Sequence, residues 1–191
     1  HVYSKEMEHD ACGVGVIAST EGKKSRAIVE YGIEALKAVW HRGAVDADGK
    51  TGDGAGIHVE IPKDFFIEKI EVTGHDYDNS EICVGMIFLP RNDYSSQESC
   101  KTIIESELTK NNFSIYGWRQ VPVNPKILGE KALQTMPEII QVLFKSIDPN
   151  LLDKDLERKI YETRKKIENK AFELSLNNFY ICSISSKSII Y

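Results

Sequence analysis

Apolar residues along the chain recur at two spacings, alternate positions and every third or fourth position. They predict strands and helices in a mixed order. Residues 12–19 (CGVGVIAS) are small or β-branched and predict a buried strand, closed by the turn Glu21-Gly22-Lys23. Over residues 25–40, Ile28, Tyr31, Ala35, Leu36, Val39 and Trp40 return at spacings of three and four, predicting a helix with one apolar face. Residues 57–61 alternate His58 and Glu60 with apolar neighbours, and Pro62 ends that strand. A short helix is predicted over 63–70 and a buried strand over 82–89 (ICVGMIFL). Residues 95–110 predict a helix capped by Ser95 or Ser96, with Ile103, Ile104 and Leu108 turned inward. Strands follow over 115–121 and 139–144, then a long helix over about 153–174 with the stripe Leu156, Ile160, Ile167 and Ala171. Residues 179–185 and 188–191 read as the two strands of a hairpin. The elements are grouped rather than strictly alternating, so a doubly wound parallel sheet fits poorly and an α+β fold is predicted.

Composition narrows the function classes. The 191 residues suffice for one domain with a substantial core, or one domain plus a small lobe. A net charge of -5 argues against a nucleic-acid surface, which needs clustered Lys and Arg. The basic stretch 158–170 is interleaved with Glu162 and Glu168 and reads as a solvated helix face. No apolar run approaches the roughly 20 residues that cross a bilayer, and the polar start HVYSKEMEHDA is no secretory signal. Cys12, Cys83, Cys100 and Cys182 are scattered without a CxxC pair, against a disulfide framework or zinc site. A reducing, cytoplasmic setting is expected. The last residues, Ser188-Ile189-Ile190-Tyr191, stop inside an apolar pattern, so the chain is read as a piece of a longer polypeptide.

Three places could carry chemistry. Cys12 opens a predicted strand beside Gly13 and Gly15, which let a ligand or other backbone approach closely. By residue type alone such a cysteine is more often inert core than nucleophile. Its position changes that balance. Cleavage between Ala11 and Cys12 would put an α-amino group, of reference pKa near 8, on the residue that bears the thiol. Next comes His41-Arg42-Gly43-Ala44 at the end of the first helix. Helix capping, with Gly43 as a left-handed C′ residue, accounts for Gly43 and partly for the two basic residues. It does not require Arg over Lys, as a site that orients a carboxylate or carbonyl would. Third is the loop DADGKTGDGAG, residues 46–56; residues 41–56 hold five of the thirteen glycines. An EF-hand counted from Asp46 fails at Thr51 and Ile57, and no phosphate-loop ending is present. The loop reads as a tight turn with positive φ at several glycines, or as the rim of a pocket offering its amides.

These segments resemble one family. CGVGVIA at Cys12, GIEALKAVWHRGAVDADGKTGDGAGIHVEIP over 32–62, IYGWRQVPVNPKILGEKA over 115–132 and FYICSISSKSIIY over 179–191 are similar to the glutaminase domain that opens the large subunit of glutamate synthases, a type 2 glutamine amidotransferase. The resemblance implies an N-terminal-nucleophile fold, a four-layer αββα sandwich of two antiparallel sheets between helices, incomplete in this chain. It implies Cys12 as nucleophile, Arg42 in an orienting role and Gly43 as part of the substrate-binding motif, with His41 structural. Residues 1–11 would be a propeptide and 12–191 the N-terminal part of the domain. The implied reaction converts L-glutamine to glutamate and ammonia through a γ-glutamyl thioester, the ammonia passing to a synthase domain that aminates 2-oxoglutarate. FMN and an iron–sulfur cluster are implied for the full-length enzyme and neither for these residues. Expected partners are L-glutamine, the rest of the large chain and a reductase small subunit, with no nucleic acid and no membrane. The family's oxyanion-hole Asn-Gly pair, and the Arg and Asp that grip glutamine, have no matching segment here. These residues alone are therefore expected to lack effective glutaminase activity and to expose apolar sheet edges. The competing readings are a docking or regulatory module in which Cys12 is core, and a metal or redox protein.

Overall fold

The run Cys83–Leu89 carries no charged or amide side chain, so both its faces and both its edges need covering. In the computed structural model it becomes β2, the inner strand of a four-stranded antiparallel sheet of order β3-β4-β2-β5. Its neighbours are β4 (Glu138–Ser146) and β5 (Tyr180–Ser185), and β3 (Phe113–Gln120) lies beyond β4. The structure describes residues 13–40 and 43–191. The chain divides into two compact units, one of His1–Ile57 with Asn124–Gln134 and a larger one of His58–Val123 with Thr135–Tyr191.

In the larger unit the period-2 alternation of β2 and β4 sorts side chains into two cores. Cys83, Ile87 and Leu89 with Ile140, Val142 and Phe144 meet the apolar stripes of α3 (Tyr94–Lys110) and α5 (Asp153–Glu173). The predicted stripe Leu156, Ile160, Ile167 and Ala171 is buried, joined by Thr163. Thr163 satisfies its hydroxyl on the Lys159 carbonyl at 2.8 Å. On the opposite face Val84, Met86, Leu143 and Tyr116 pack on Phe66 and Ile70 of α2 (Lys63–Val72), with Ile61 and Ile189. Ile189 belongs to β6 (Ser188–Ile190), which pairs antiparallel with β1 (His58–Glu60) through Val59↔Ile189. Helices, a four-stranded sheet and a small second sheet therefore succeed one another, an α+β architecture with antiparallel sheets as the sequence predicts.

Two predicted details change. The cap of α3 is Asp93 rather than Ser95 or Ser96; its carboxylate accepts from the Ser96 amide at 3.0 Å. Residues 179–191 do not form a hairpin. Two-residue hairpin turns need positive φ at one or both central residues, and neither Ser186 nor Lys187 has one. Instead Glu157 of α5 accepts from the Ser186 amide at 2.7 Å and the Ser185 hydroxyl at 2.9 Å. That bend sends β6 to β1.

The smaller unit contains α1 (Arg26–Ala38), capped by Ser25, whose hydroxyl accepts from the Ala27 amide at 3.2 Å. The predicted apolar face of this helix exists, yet no residue of α1 is buried. Residues 13–19 are not the buried strand predicted. They adopt no regular structure, and Val14 and Val16 are 91% and 86% exposed. A strand needs a neighbour for its amides and carbonyls, and among the described residues nothing pairs with this segment. A 3-10 turn (Pro125–Ile127) and α4 (Glu130–Thr135) contribute the remainder.

Candidate functional site

The glycine-rich loop after α1 is built by its own aspartates. Asp53 Oδ2 accepts from the Ala44 amide at 2.8 Å, and the Asp53 amide returns to the Ala44 carbonyl at 3.3 Å. Val45 and Gly52 form an antiparallel bridge, and the Asp46 amide donates to the Thr51 carbonyl at 2.7 Å. The Gly49 amide closes the turn onto the Asp46 carbonyl at 2.9 Å. Residues 44–53 thus form a small ladder with a turn at Ala47-Asp48-Gly49. Gly49, at φ 68°, occupies the left-handed position that glycine takes without strain.

That geometry revises the reading of the loop. Gly49 alone among its described glycines has positive φ. Gly43 and Gly52 are instead places of close approach, where a Cβ would lie 3.3 Å from the Trp40 carbonyl and 3.2 Å from the Ala44 carbonyl. Gly43 is not the left-handed C′ residue of α1 either: the helix ends at Ala38 with Val39 as cap. The amides of Gly43, Ala44, Asp46, Ala47, Gly49, Lys50, Thr51 and Asp53 all donate within this region. They are committed to the fold rather than offered to a ligand.

The Asp48 carboxylate is the centre of the turn. Oδ1 accepts from the amides of Lys50 (2.9 Å) and Thr51 (2.7 Å). Oδ2 accepts from the Thr51 hydroxyl (2.5 Å) and from the amide of Glu130 (3.0 Å), at the start of α4. The Thr51 hydroxyl and amide, then the Lys50 amide, hold the Asp48 carboxyl well below the usual carboxylate range. Asp46 accepts from its neighbour's amide at 2.6 Å and pairs with Lys131. The sequence gave no signal for the bond to Glu130, which lies 82 residues from Asp48.

Of the predicted site residues, Gly43 lies at the exposed head of this ladder. Cys12, Arg42 and His41 fall outside the described residues. At the other three cysteines the thiolate that a nucleophile needs is disfavoured. Burial, then the charges of Glu157 and Glu81, pushes the Cys83 thiol far up. Burial pushes Cys100 up to about 11 and raises Cys182. Among the described residues no group of three or more His, Cys, Asp or Glu side chains could hold a metal ion. Cys83, Cys100 and Cys182 are not grouped and so do not fit an iron–sulfur cluster. No helix of the described residues is long and apolar enough to cross a membrane.

Comparison with known proteins agrees with the resemblance seen in the sequence. Residues 12–191 match the family model of the class-II glutamine amidotransferases. The chain is 52% identical over its whole length to the NADPH glutamate synthase large chain of Azospirillum brasilense, of which it spans 12%. It is 41% identical over 96% of its length to the chloroplastic/mitochondrial ferredoxin-dependent glutamate synthase 1 of Arabidopsis thaliana, spanning 11% of that protein. The ferredoxin-dependent glutamate synthase 2 of Synechocystis sp. is 35% identical over 96% of the chain. An α+β fold with antiparallel sheets, the glycine ladder after the HRG motif and a family match across all but the first eleven residues converge: the chain belongs to the class-II glutamine amidotransferases.

Proposed function

We propose that the chain supplies the nucleophile-bearing part of the glutaminase of a glutamate synthase, with Cys12 as first residue of the mature protein. The observation that carries this reading is the family match, which begins at Cys12 itself. The upward shift of the described thiols supports it.

The chemistry follows from placing amine and thiol on one residue. While Ala11 is attached, the nitrogen of Cys12 is a planar amide whose lone pair is delocalised and cannot take a proton. After removal of residues 1–11 the α-amine accepts the thiol proton. The thiolate attacks the side-chain amide carbon of glutamine, giving a tetrahedral oxyanion. Its collapse breaks the C–N bond, the ammonium of Cys12 returns the proton to the departing nitrogen, and ammonia leaves. Water, deprotonated by the same amine, then cleaves the γ-glutamyl thioester to glutamate and restores the thiol. Arg42 orients the substrate beside Cys12, and Gly43 allows the HRG segment to come close.

In the longer protein the ammonia passes to a synthase domain for amination of 2-oxoglutarate. The rest of that chain carries FMN and an iron–sulfur cluster for the reduction, and a reductase small subunit supplies electrons. The setting is cytoplasmic. Taken alone, the 191 residues turn over little glutamine, because the oxyanion-hole and glutamine-gripping segments lie elsewhere.

The test uses the full-length protein. Intact mass and N-terminal sequencing should find Cys12 at the terminus, and a glutamine-mimicking electrophile should add once, at Cys12. Cys12→Ala should remove glutaminase activity to background while ammonia-dependent synthesis persists. Labelling at Cys83 or Cys100 in preference, or an uncut N-terminus in active enzyme, would overturn the reading.

A further inference from the structure

The smaller unit has an unusual economy of contacts. Gly129 is its only buried described residue, so apolar burial does little to decide where residues 124–134 lie against the loop at 43–56. Polar contacts do that work. Three converge on the turn: the Glu130 amide donates to Asp48 Oδ2 at 3.0 Å, Lys131 pairs with Asp46, and Gly129 presses on Thr51. A Cβ at Gly129 would fall on the Thr51 hydroxyl and Asp48 Oδ2. The Lys131–Asp46 pair is solvent-exposed and weak by nature. The Asp48 bond is charge-assisted and spans 82 residues of chain.

The two oxygens of Asp48 divide the labour. Oδ1 takes the Lys50 and Thr51 amides and makes the local turn. Oδ2 takes the Thr51 hydroxyl and the distant Glu130 amide. From Thr51 the ladder runs through Asp46, the Val45–Gly52 bridge and the Ala44–Asp53 pair to Gly43.

We propose that Asp48 is a positioning residue for glutamine binding: its Oδ2 latches the glycine ladder to Gly129-Glu130, and through the ladder sets Gly43. The proposal rests on the reading of Arg42 and Gly43 as substrate-orienting residues. It gives a role to the DADGKTG and NPKILGEKA segments, which the proposed chemistry leaves unused. Asp48 acts on the ladder that leads to Gly43 and not on the thiol, so its loss should weaken substrate binding more than the chemical step.

Two substitutions in the full-length protein isolate the latch. Asp48→Asn keeps an acceptor for the local turn but offers an NH2 group toward the Glu130 amide. Glu130→Pro deletes that amide at the first position of α4, where proline is tolerated. Both should raise the KM for glutamine about three- to tenfold with kcat changed less than about twofold. Both should also speed amide hydrogen exchange at Ala44, Asp46 and Asp53, leaving strands β2 and β4 protected. Thr51→Ser, which retains the hydroxyl, should behave as wild type. Unchanged exchange in both variants overturns the latch. Faster exchange with unmoved KM overturns the positioning role. A full-length wild-type protein that hydrolyses no glutamine overturns the functional reading instead, and exchange still decides the latch.

Discussion

The two units of this chain solve folding differently. The larger one closes two apolar cores around one sheet: Phe66, Ile70, Phe113, Phe144, Leu143 and Leu156 are all at or near complete burial. The smaller one closes none. Its helix carries a regular apolar face, yet none of its residues is buried and Tyr31 remains 57% exposed. It is organised by carboxylates instead, with Asp46, Asp48 and Asp53 accepting backbone amides along the glycine ladder. Hydrophobic burial is non-directional and fixes a core in bulk. Charge-assisted hydrogen bonds are directional and can hold a loop of glycines, which has no side chains to bury.

The widest gap between the units should appear on truncation. Phe144→Ala, in the middle of the helix-facing core, should destabilise the chain by about 3–5 kcal/mol in urea titration. Tyr31→Ala on α1 should change the same transition by no more than about 0.5 kcal/mol. Comparable losses would mean that α1 shares the larger unit's cooperative core. Next is Gly85→Ala, where the added methyl lies 2.7 Å from Val142 Cγ1. Valine is stiff at χ1 and cannot swing aside, so a loss of about 1–3 kcal/mol is expected.

The acid side separates the units further. Glu107 on α3 is buried and hydrogen-bonded by Lys170 of α5, which together with Lys110 lowers its pKa. A lowered folded pKa contributes stability that is full above the unfolded value near 4.3 and is lost as pH falls through the folded value. Urea midpoints measured from pH 6 down to pH 3 should therefore fall, and Glu107→Gln should flatten that slope. Asp48, held well below the usual carboxylate range by its four donors, should keep its turn through the same range. The smallest effects belong to matched surface pairs. Arg26–Glu30 in α1 and Arg158–Glu162 in α5 share the i,i+4 spacing and distances of 3.2 and 3.1 Å. Removing either pair should shift stability by less than about 0.5 kcal/mol. A larger loss for Arg158 would show a network that the pairwise view misses.

Legibility in the sequence follows the same division. The stripe of α5, the continuous apolar run of β2 and the start of α2 at Lys63 were readable because burial selects apolar residues and, in a helix, imposes a period. The hairpin over 179–191 was misread because alternation reports which face is buried and not which strand is the partner. That choice went to Glu157, anchored on another element. The strand over 12–19 was misread because an apolar run promises burial only where a neighbour exists. At the candidate site, Cys12, Arg42 and Gly43 were proposed by motif, whereas Asp48 passed as one aspartate among several. Its partner lies 82 residues away and donates through a backbone amide, which every residue but proline possesses.

By itself, then, the sequence determined the helical stripe of α5, the buried character of β2 and the family to which the chain belongs. Those are properties of nearest neighbours and short motifs, and side-chain chemistry at regular spacing suffices to express them. Tertiary structure alone decided that β6 leaves β5 for β1, that burial raises the thiol pKa of Cys83, Cys100 and Cys182, and that the glycine loop is tied to Gly129-Glu130. Each of those depends on which distant group fills a particular hydrogen-bonding or desolvated position, and local pattern does not encode distance through space.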